Sequence, residues 1–323
     1  MKFAIILGNL GNTCDRFLSS GYKEQSSKEE MVKQAAEIDG VSGIELVGSW
    51  DVTEHNVDEV GELLGKHDLE CVSIIPDLFS QKRWGKGTFS SKDLSVREQA
   101  LEETFKAAEI AQNLNCSLIN IWPGQDGYDY PLQSYYSEER QLMKENLYTV
   151  CRRYPNIQFS LEYKMKEPRT HSFLARCADT LLMAKEINLP NVGVTIDVGH
   201  SLLAYENVAE AVVMLKIYGD RFFHLHFNDN YRAWDDDMIV GSVHFVEYLE
   251  LVFWLKETGY SGWYSMDLYP YRENAKEALR ESIEFIKGID KILTPNTMNE
   301  LREIIKEGDP TKSTAWVRKL ILE

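Results

Sequence analysis

The stretch VGVTIDVGHS, residues 192–201, places the acid Asp197 inside a run of valine, threonine and isoleucine, with His200 three positions later. Short runs rich in β-branched residues are typical of buried strands. A carboxylate in apolar surroundings costs several kcal/mol unless it has a partner. The stretch therefore predicts a buried strand that ends in a partnered acid.

Similar short apolar runs recur along the chain, at residues 2–8, 43–49, 71–77, 117–124, 157–164, 222–229 and 263–270. Segments with helical periodicity lie between them, for example 96–114 and 172–187. Eight strand–helix units in a row favour a closed barrel, because a doubly wound sheet usually stops at five or six strands. We predict an α/β fold: a (β/α)8 TIM barrel forming one catalytic domain over residues 1–290. A short helical extension is expected over 291–323, either packed on the barrel or serving as an oligomer contact.

Composition narrows the function classes. The formal net charge of −16 opposes binding to a phosphate backbone, so we expect no nucleic-acid partner. The five cysteines include no C-x-x-C pair, which favours free thiols, with Cys71 and Cys116 on strands, and a reducing cytoplasm. Apolar runs fall short of the roughly 18 residues that span a bilayer, so we expect no membrane partner either.

The last four predicted strands each end in acidic or imidazole side chains, at the edge where barrel enzymes carry their active sites. These side chains are Glu162 and Lys164, Asp197 and His200, His224 and His226, and Asp267. Strand alternation puts the two members of the first and third pairs on one face. Carboxylates with one imidazole suit Mn²⁺, Mg²⁺ or Co²⁺, and such an ion would neutralise the buried acids. Asn228 or His224 is expected to support the ligands from behind.

The motifs LEYK (161–164), TIDVGHS (195–201), HLHFNDNYR (224–232) and GWYSMDLYP (262–270) resemble the xylose isomerase-like TIM-barrel superfamily of sugar isomerases and epimerases. The resemblance covers roughly residues 1–290. It implies one divalent ion, Mn²⁺ before Mg²⁺ or Co²⁺, bound by Glu162, Asp197, His226 and Asp267.

The same resemblance implies catalytic roles. Either Glu162 or His200 would be the base that takes a proton beside a sugar carbonyl, and Lys164 would polarise that carbonyl. Arg232 would contact the substrate. Asp267 departs from the family pattern: the epimerases use a glutamate there as one of two opposed acid–base carboxylates. An aspartate is one methylene shorter, which weakens a two-base epimerisation.

A narrower resemblance links WPGQDGYDYP (122–131), WDDDMIVGSVH (234–244) and GWYSMDLYPYRE (262–273) to the catalytic α subunits of bacterial C-glycoside deglycosidases. It implies a carbon–carbon lyase that removes the C2 proton of a 3-oxo-C-glucoside and expels the aglycone. It also implies a small β-sandwich partner subunit, and hence a hetero-oligomer. The alternative is a ketose 3-epimerase or an aldose–ketose isomerase.

Several further side chains are expected near the substrate. Trp122, Gln125 and Tyr128 follow the fourth strand, and aromatic faces stack on sugar or flavonoid rings. The alternative for them is an ordinary loop bounded by proline and glycine. His224 is interpreted either as a substrate contact or as a satisfied core histidine. The acids of 234–237 are interpreted as a solvated charge run or as acids near the barrel mouth.

Overall fold

The computed structural model describes residues 1–14 and 17–322, and within them eight parallel strands close into a barrel. In chain order these are β1 (Lys2–Ile6), β2 (Val41–Val47), β3 (Glu70–Ile75), β4 (Leu118–Ile121), β5 (Gln158–Glu162), β6 (Val192–Asp197), β7 (Phe222–Phe227) and β8 (Trp263–Met266). Each strand pairs with its neighbour in sequence, and β8 pairs with β1. The predicted (β/α)8 barrel is therefore confirmed.

Strand alternation divides the core into two layers. Outward-facing Val194, Ile196 and Leu225 pack with the surrounding helices in the main apolar cluster. Inside the barrel the contacts are polar: the Thr195 hydroxyl donates to Asn120 Oδ1 at 2.7 Å. The barrel interior is consequently a hydrogen-bonded support beneath the mouth.

Helices alternate with the strands and close the outer layer. They are α1 (Lys28–Ala36), α2 (Val57–Lys66), α3 (Leu94–Asn113), α4 (Tyr136–Arg153), α5 (Cys177–Ile187), α6 (Val198–Leu203), α7 (Val208–Ile217), α8 (Phe245–Glu257) and α9 (Ala275–Ile292). The predicted strands overrun their observed ends; the eighth, expected over 263–270, stops at Met266. The overrun residues form loops that line the mouth. None of the described helices has the length and apolar character that a membrane crossing requires.

The C-terminal extension is helical, as predicted. It comprises α10 (Pro295–Glu307) and α11 (Pro310–Leu322). Thr294 caps α10, whose first residue is a proline suited to that position. Leu301 and Trp316 of the extension pack against the main apolar cluster, and Arg302 forms an ion pair with Glu257 of α8 at 2.6 Å.

Candidate metal and active site

Four side chains meet at the carboxyl ends of β5 to β8. Glu162 and Asp197 are the last residues of their strands, His226 is the second-last residue of β7, and Asp267 directly follows β8. Parallel register places Asp197 beside His226. One ligand atom from each of the four residues lies within 4.8 Å of the others. The four residues expected to bind metal are thus brought together.

His226 Nδ1 lies at the centre of this group. It is 3.6 Å from Glu162 Oε1, 3.4 Å from Asp267 Oδ2 and 4.0 Å from Asp197 Oδ2. The atom is buried and finds no hydrogen-bond partner among the described residues. Three carboxylates around one unsatisfied imidazole nitrogen form a donor set that fits a divalent cation of the Mn²⁺ or Mg²⁺ type.

The carboxylates of this group repel one another. Burial, together with the neighbouring Asp197 and Glu162 carboxylates, raises the pKa of Asp267 to about 8. Burial also raises the pKa of Asp197. Burial alone would raise the pKa of Glu162 as well, but the adjacent His226 and His200 imidazoles lower it. A bound dication would supply the missing positive charge.

A second chain of contacts runs along one side of the group. Lys164 Nζ lies 2.6 Å from Asp235 Oδ2 and 3.2 Å from Glu167 Oε2. The same Asp235 oxygen is 3.1 Å from His200 Nε2, and His200 Nδ1 is 3.3 Å from Glu162 Oε1. Asp235 therefore links Lys164, which is predicted to polarise the carbonyl, to the candidate base His200.

The neighbouring charges set the protonation states of His200 and Lys164. Burial would lower the pKa of His200, but the carboxylates of Asp197 and Asp235 raise it to about 9. Burial would also lower the pKa of Lys164, but the nearby Asp235 carboxylate outweighs the effect of burial and raises that pKa. Both side chains carry a proton at neutral pH, so each is a hydrogen-bond donor toward the cavity.

A cavity of about 280 Å³ opens onto these groups. One wall carries the charged residues of β5 to β8. The opposite wall is apolar and includes Ile6, Val47, Ile75 and Phe79, which form a separate cluster at the ends of β1 to β3. Trp122 also lines the cavity, with its ring 5.0 Å from that of Phe79. The cavity suits a ligand with one polar and one apolar face.

Three of the residues expected to bind substrate lie outside this cavity. Gln125 turns away and donates to the Phe79 carbonyl at 2.9 Å. The Tyr128 ring stacks on His171 at 4.7 Å. Arg232 points to the outer side of the barrel, with Nη2 3.2 Å from Glu247 Oε1. The structure thus corrects the expected positions of these side chains, and Trp122 alone of the loop trio reaches the cavity.

His224 also lies below the cavity. Its Nε2 is 2.8 Å from Glu45 Oε1, and only 1% of the side chain is exposed. Its ring meets that of His226 edge-on at 4.9 Å. The geometry therefore corresponds to the satisfied core histidine, and His224 does not reach the cavity where a substrate contact was expected.

Glu45 is a further buried acid of the site region that is not among the residues predicted from sequence. Its carboxylate is fully buried in the barrel and accepts hydrogen bonds from the hydroxyls of Ser73 and Ser265. Burial alone would raise the pKa of Glu45, yet the imidazoles of His224 and His226 hold it well below its usual range. The available signal was an acid inside the apolar run GIELVGS (43–49), the same signal that marked Asp197.

The acids at 234–237 are not a solvated charge run throughout. Asp235 is buried in the contact chain, and both Asp235 and Asp237 line the cavity. Burial and the Asp235 charge raise the pKa of Asp237 well above its usual range. Asn228 donates to Asp197 Oδ2 at 2.9 Å and to Asp237 Oδ1 at 3.1 Å, consistent with its expected supporting position.

Comparison with known proteins shows which family the sequence matches. The family model described as "Xylose isomerase-like TIM barrel" matches residues 32–289. The xylose isomerase of Thermus thermophilus is 25% identical over 223 residues, which cover 67% of this chain. The match spans only 57% of that longer relative.

Solved structures share the fold at low identity. A D-tagatose 3-epimerase-like protein superposes with a TM-score of 0.72 at 23% identity, covering 91% of this chain and 100% of that one. The 3-keto-D-glucoside 4-epimerase YcjR from E. coli gives 0.69 at 18% identity, covering 89% of this chain and 100% of that one. At these identities the likeness concerns the fold.

Proposed function

This chain belongs to the xylose isomerase-like TIM-barrel family, and from that premise we propose that it is a metal-dependent carbohydrate enzyme. The proposed reaction removes a proton from the carbon beside a sugar carbonyl. The observation that carries the proposal is the convergence of Glu162, Asp197, His226 and Asp267 beside His200, at the floor of a cavity of about 280 Å³. Packing alone gives no reason for three carboxylates, of which Glu162 and Asp197 are buried, to share one site.

The four converging residues would hold one divalent ion, with Mn²⁺ preferred over Mg²⁺ or Co²⁺ in this proposal. When bound, such an ion stabilises the negative charge that develops on a carbonyl oxygen as the neighbouring carbon loses its proton. The unsatisfied, buried Nδ1 of His226 supports this assignment.

Glu162 is our choice for the base. It is the carboxylate whose pKa is lowered, so it is ionised at neutral pH and available to take a proton. A positioned base contributes typically about 10²–10⁴-fold to the rate. His200, 3.3 Å away, is held protonated by Asp197 and Asp235 against the effect of burial and is therefore the better proton donor. Lys164, also charged, would donate a hydrogen bond to the substrate carbonyl region.

Within this chemistry, the specific proposal is carbon–carbon bond cleavage in a 3-oxo-C-glucoside. Glu162 takes the C2 proton, the electron pair forms the C1–C2 double bond, and the bond from C1 to the aglycone breaks. The aglycone carbon then takes a proton from His200, so one proton leaves the sugar and one enters the aglycone. The apolar wall with Phe79 and Trp122 would hold an aromatic aglycone. A small β-sandwich partner subunit is part of this proposal.

A ketose 3-epimerase or aldose–ketose isomerase is the second candidate. The fold likeness to the two epimerase structures favours it. Asp267 makes a two-base epimerisation less favourable, because an aspartate carboxylate extends less far toward a substrate carbon than a glutamate carboxylate does. Both candidates share the first step, so one experiment tests that step for both.

The first step is tested by deuterium exchange. Metal-loaded protein is incubated in D2O with a 3-oxo-C-glucoside and, separately, with free ketoses, and exchange at the carbon beside the carbonyl is followed by NMR. We expect exchange with wild type and with the surface control Glu59→Gln, and its loss in Glu162→Gln. Absence of exchange with every sugar tested would refute the proposed chemistry.

Product analysis separates the two candidates. Release of free aglycone from the 3-oxo-C-glucoside, in the presence of a β-sandwich partner subunit, supports the lyase. Conversion of free ketoses by this chain alone, without aglycone release, reverses the ranking.

A further inference from the structure

We infer that Glu45 is a positioning residue that determines which nitrogen of His226 faces the metal site. The inference rests on the metal site proposed above and extends it to a residue one layer deeper in the barrel. Glu45 is fully buried on β2, whereas the four candidate ligands come from β5 to β8. It reaches His226 across 181 positions of sequence.

The two nitrogens of His226 face different neighbours. Nε2 lies 3.3 Å from the Glu45 carboxylate. Nδ1 faces the carboxylates of Glu162, Asp197 and Asp267. A neutral imidazole carries one proton, and an ionised carboxylate can only accept. Glu45 therefore holds the proton of Nε2, so Nδ1 is the nitrogen that can give up a proton and bind a cation.

Glu45 is itself held in place from several strands. His224 Nε2 lies 2.8 Å from its Oε1, and the hydroxyls of Ser73 and Ser265 donate to its two oxygens. With these donors on one carboxylate, the side chain has no freedom to rotate away from His226. The ring of His226 is thereby held with Nε2 on Glu45 and Nδ1 toward the three carboxylates before a cation arrives, which is how outer residues tune metal ligands.

The size of the effect follows from this role. Loss of an outer hydrogen-bond partner of a ligating histidine typically lowers metal affinity by about 10–100-fold. A glutamine at position 45 keeps the shape but has one acceptor oxygen for the donors that a carboxylate serves with two. We expect Glu45→Gln to weaken the hydrogen bond to His226 and to bind Mn²⁺ about 10–100-fold more weakly.

The matched control is Asp126→Asn. Asp126 is another fully buried carboxylate with several donors, including the Thr88 and Ser90 backbone amides at 2.8 and 2.7 Å, but it lies in the β4–α4 loop. Its replacement removes a structural carboxylate without touching His226. We expect its Mn²⁺ affinity to stay at the wild-type value even if its thermal stability falls.

Two measurements test the inference on the full chain. Calorimetric titration with Mn²⁺ gives the affinities of wild type, Glu45→Gln and Asp126→Asn. Nitrogen-15 NMR of histidine-labelled, metal-free wild type, followed upward in pH until the His226 ring is neutral, reports the tautomer and needs no variant to fold. We expect a proton on Nε2 and the affinity loss in Glu45→Gln alone.

The outcomes separate this inference from the proposed function. Wild-type affinity in folded Glu45→Gln, or a proton absent from His226 Nε2, overturns the role of Glu45 and leaves the metal site standing. An equal affinity loss in both variants assigns the effect to general destabilisation and overturns it too. Failure of wild type to bind Mn²⁺ refutes the metal site itself.

Discussion

Metal binding by this protein should release protons. The perturbation is to strip the protein with a chelator and titrate it with Mn²⁺ at several pH values between 6 and 9. In the metal-free site, burial and two neighbouring carboxylates raise the pKa of Asp267 to about 8. A carboxyl group must lose its proton to act as a ligand. Below its pKa, therefore, Asp267 resists the ion until the proton leaves.

The magnitude follows from that pKa. With a pKa of about 8, Asp267 is roughly 90% protonated at pH 7, so binding releases about 0.9 proton from this group alone. Through Asp267 alone, the affinity should rise about ninefold from pH 6 to 7 and about fivefold from pH 7 to 8. Above pH 8 the contribution of Asp267 should level off. His226, whose pKa is also raised well above its usual value by the carboxylates around it against the effect of burial, adds to the release.

Calorimetry in buffers with different ionisation enthalpies measures this proton count directly. The control is Glu59→Gln, which removes one negative charge at an exposed position far along the chain from the site. It should keep the wild-type proton count. An affinity that is constant between pH 6 and 8, with no proton released, would refute the electrostatic description of the site.

Three further predictions concern stability. Burial raises the pKa of Asp51 to about 6, so ionisation of Asp51 destabilises the folded state as the pH rises from about 4 to 6. Asp51→Asn removes this cost. It should increase the free energy of unfolding by about 3 kcal/mol at pH 8 and by about half that at pH 5. Equal gains at both values in denaturant titrations would contradict this. Asp235→Asn leaves the buried charge of Lys164 poorly compensated and should cost about 3–5 kcal/mol, again measured by denaturant; a loss under 1 kcal/mol would argue against the buried contact chain. Gly193→Ala would place its Cβ 2.3 Å from a neighbouring phenylalanine ring and should lower the free energy of unfolding by about 1–3 kcal/mol. Gly288→Ala has open space around its Cβ within the described residues and should raise that free energy by about 0.5–1 kcal/mol. Similar melting temperatures for the two variants would contradict the packing described.

The barrel could be predicted because its strands are buried on both faces. Such strands appear in sequence as short continuous apolar runs, and eight of them in alternation with helical segments leave few other topologies. Ligand candidates on these strands could be predicted for the same reason. Asp197 and His226 interrupt apolar runs, and a polar side chain at such a position indicates a buried functional group.

Loop residues were harder to place. Gln125 and Tyr128 follow a strand as the four converging residues do, but Asp126 of their loop accepts hydrogen bonds from the Thr88 and Ser90 backbone amides, which holds the loop away from the cavity. Arg232 is turned toward Glu247. Such paths depend on partners distant in sequence and have no periodic signal.

Glu45 and Asp235, in contrast, lie in or beside the site without a local sequence pattern that connects them to it. Glu45 carried the same signal as Asp197, but its partner His224 lies 179 positions later, so no local pattern connects them. Asp235 sits in a run of three acids that is typical of a solvated surface. Its burial follows from the opposite charge of Lys164, which only the closed barrel brings within 2.6 Å.

Glu162, Asp197, His226 and Asp267 are expected to bind one dication together. Elemental analysis of purified protein, before and after dialysis against a chelator and reloading with Mn²⁺, tests it most directly. We predict about one ion per chain that the chelator removes and Mn²⁺ restores, with no restoration in His226→Ala. Protein that takes up no stoichiometric ion, or a His226→Ala variant that binds as wild type does, would contradict the account.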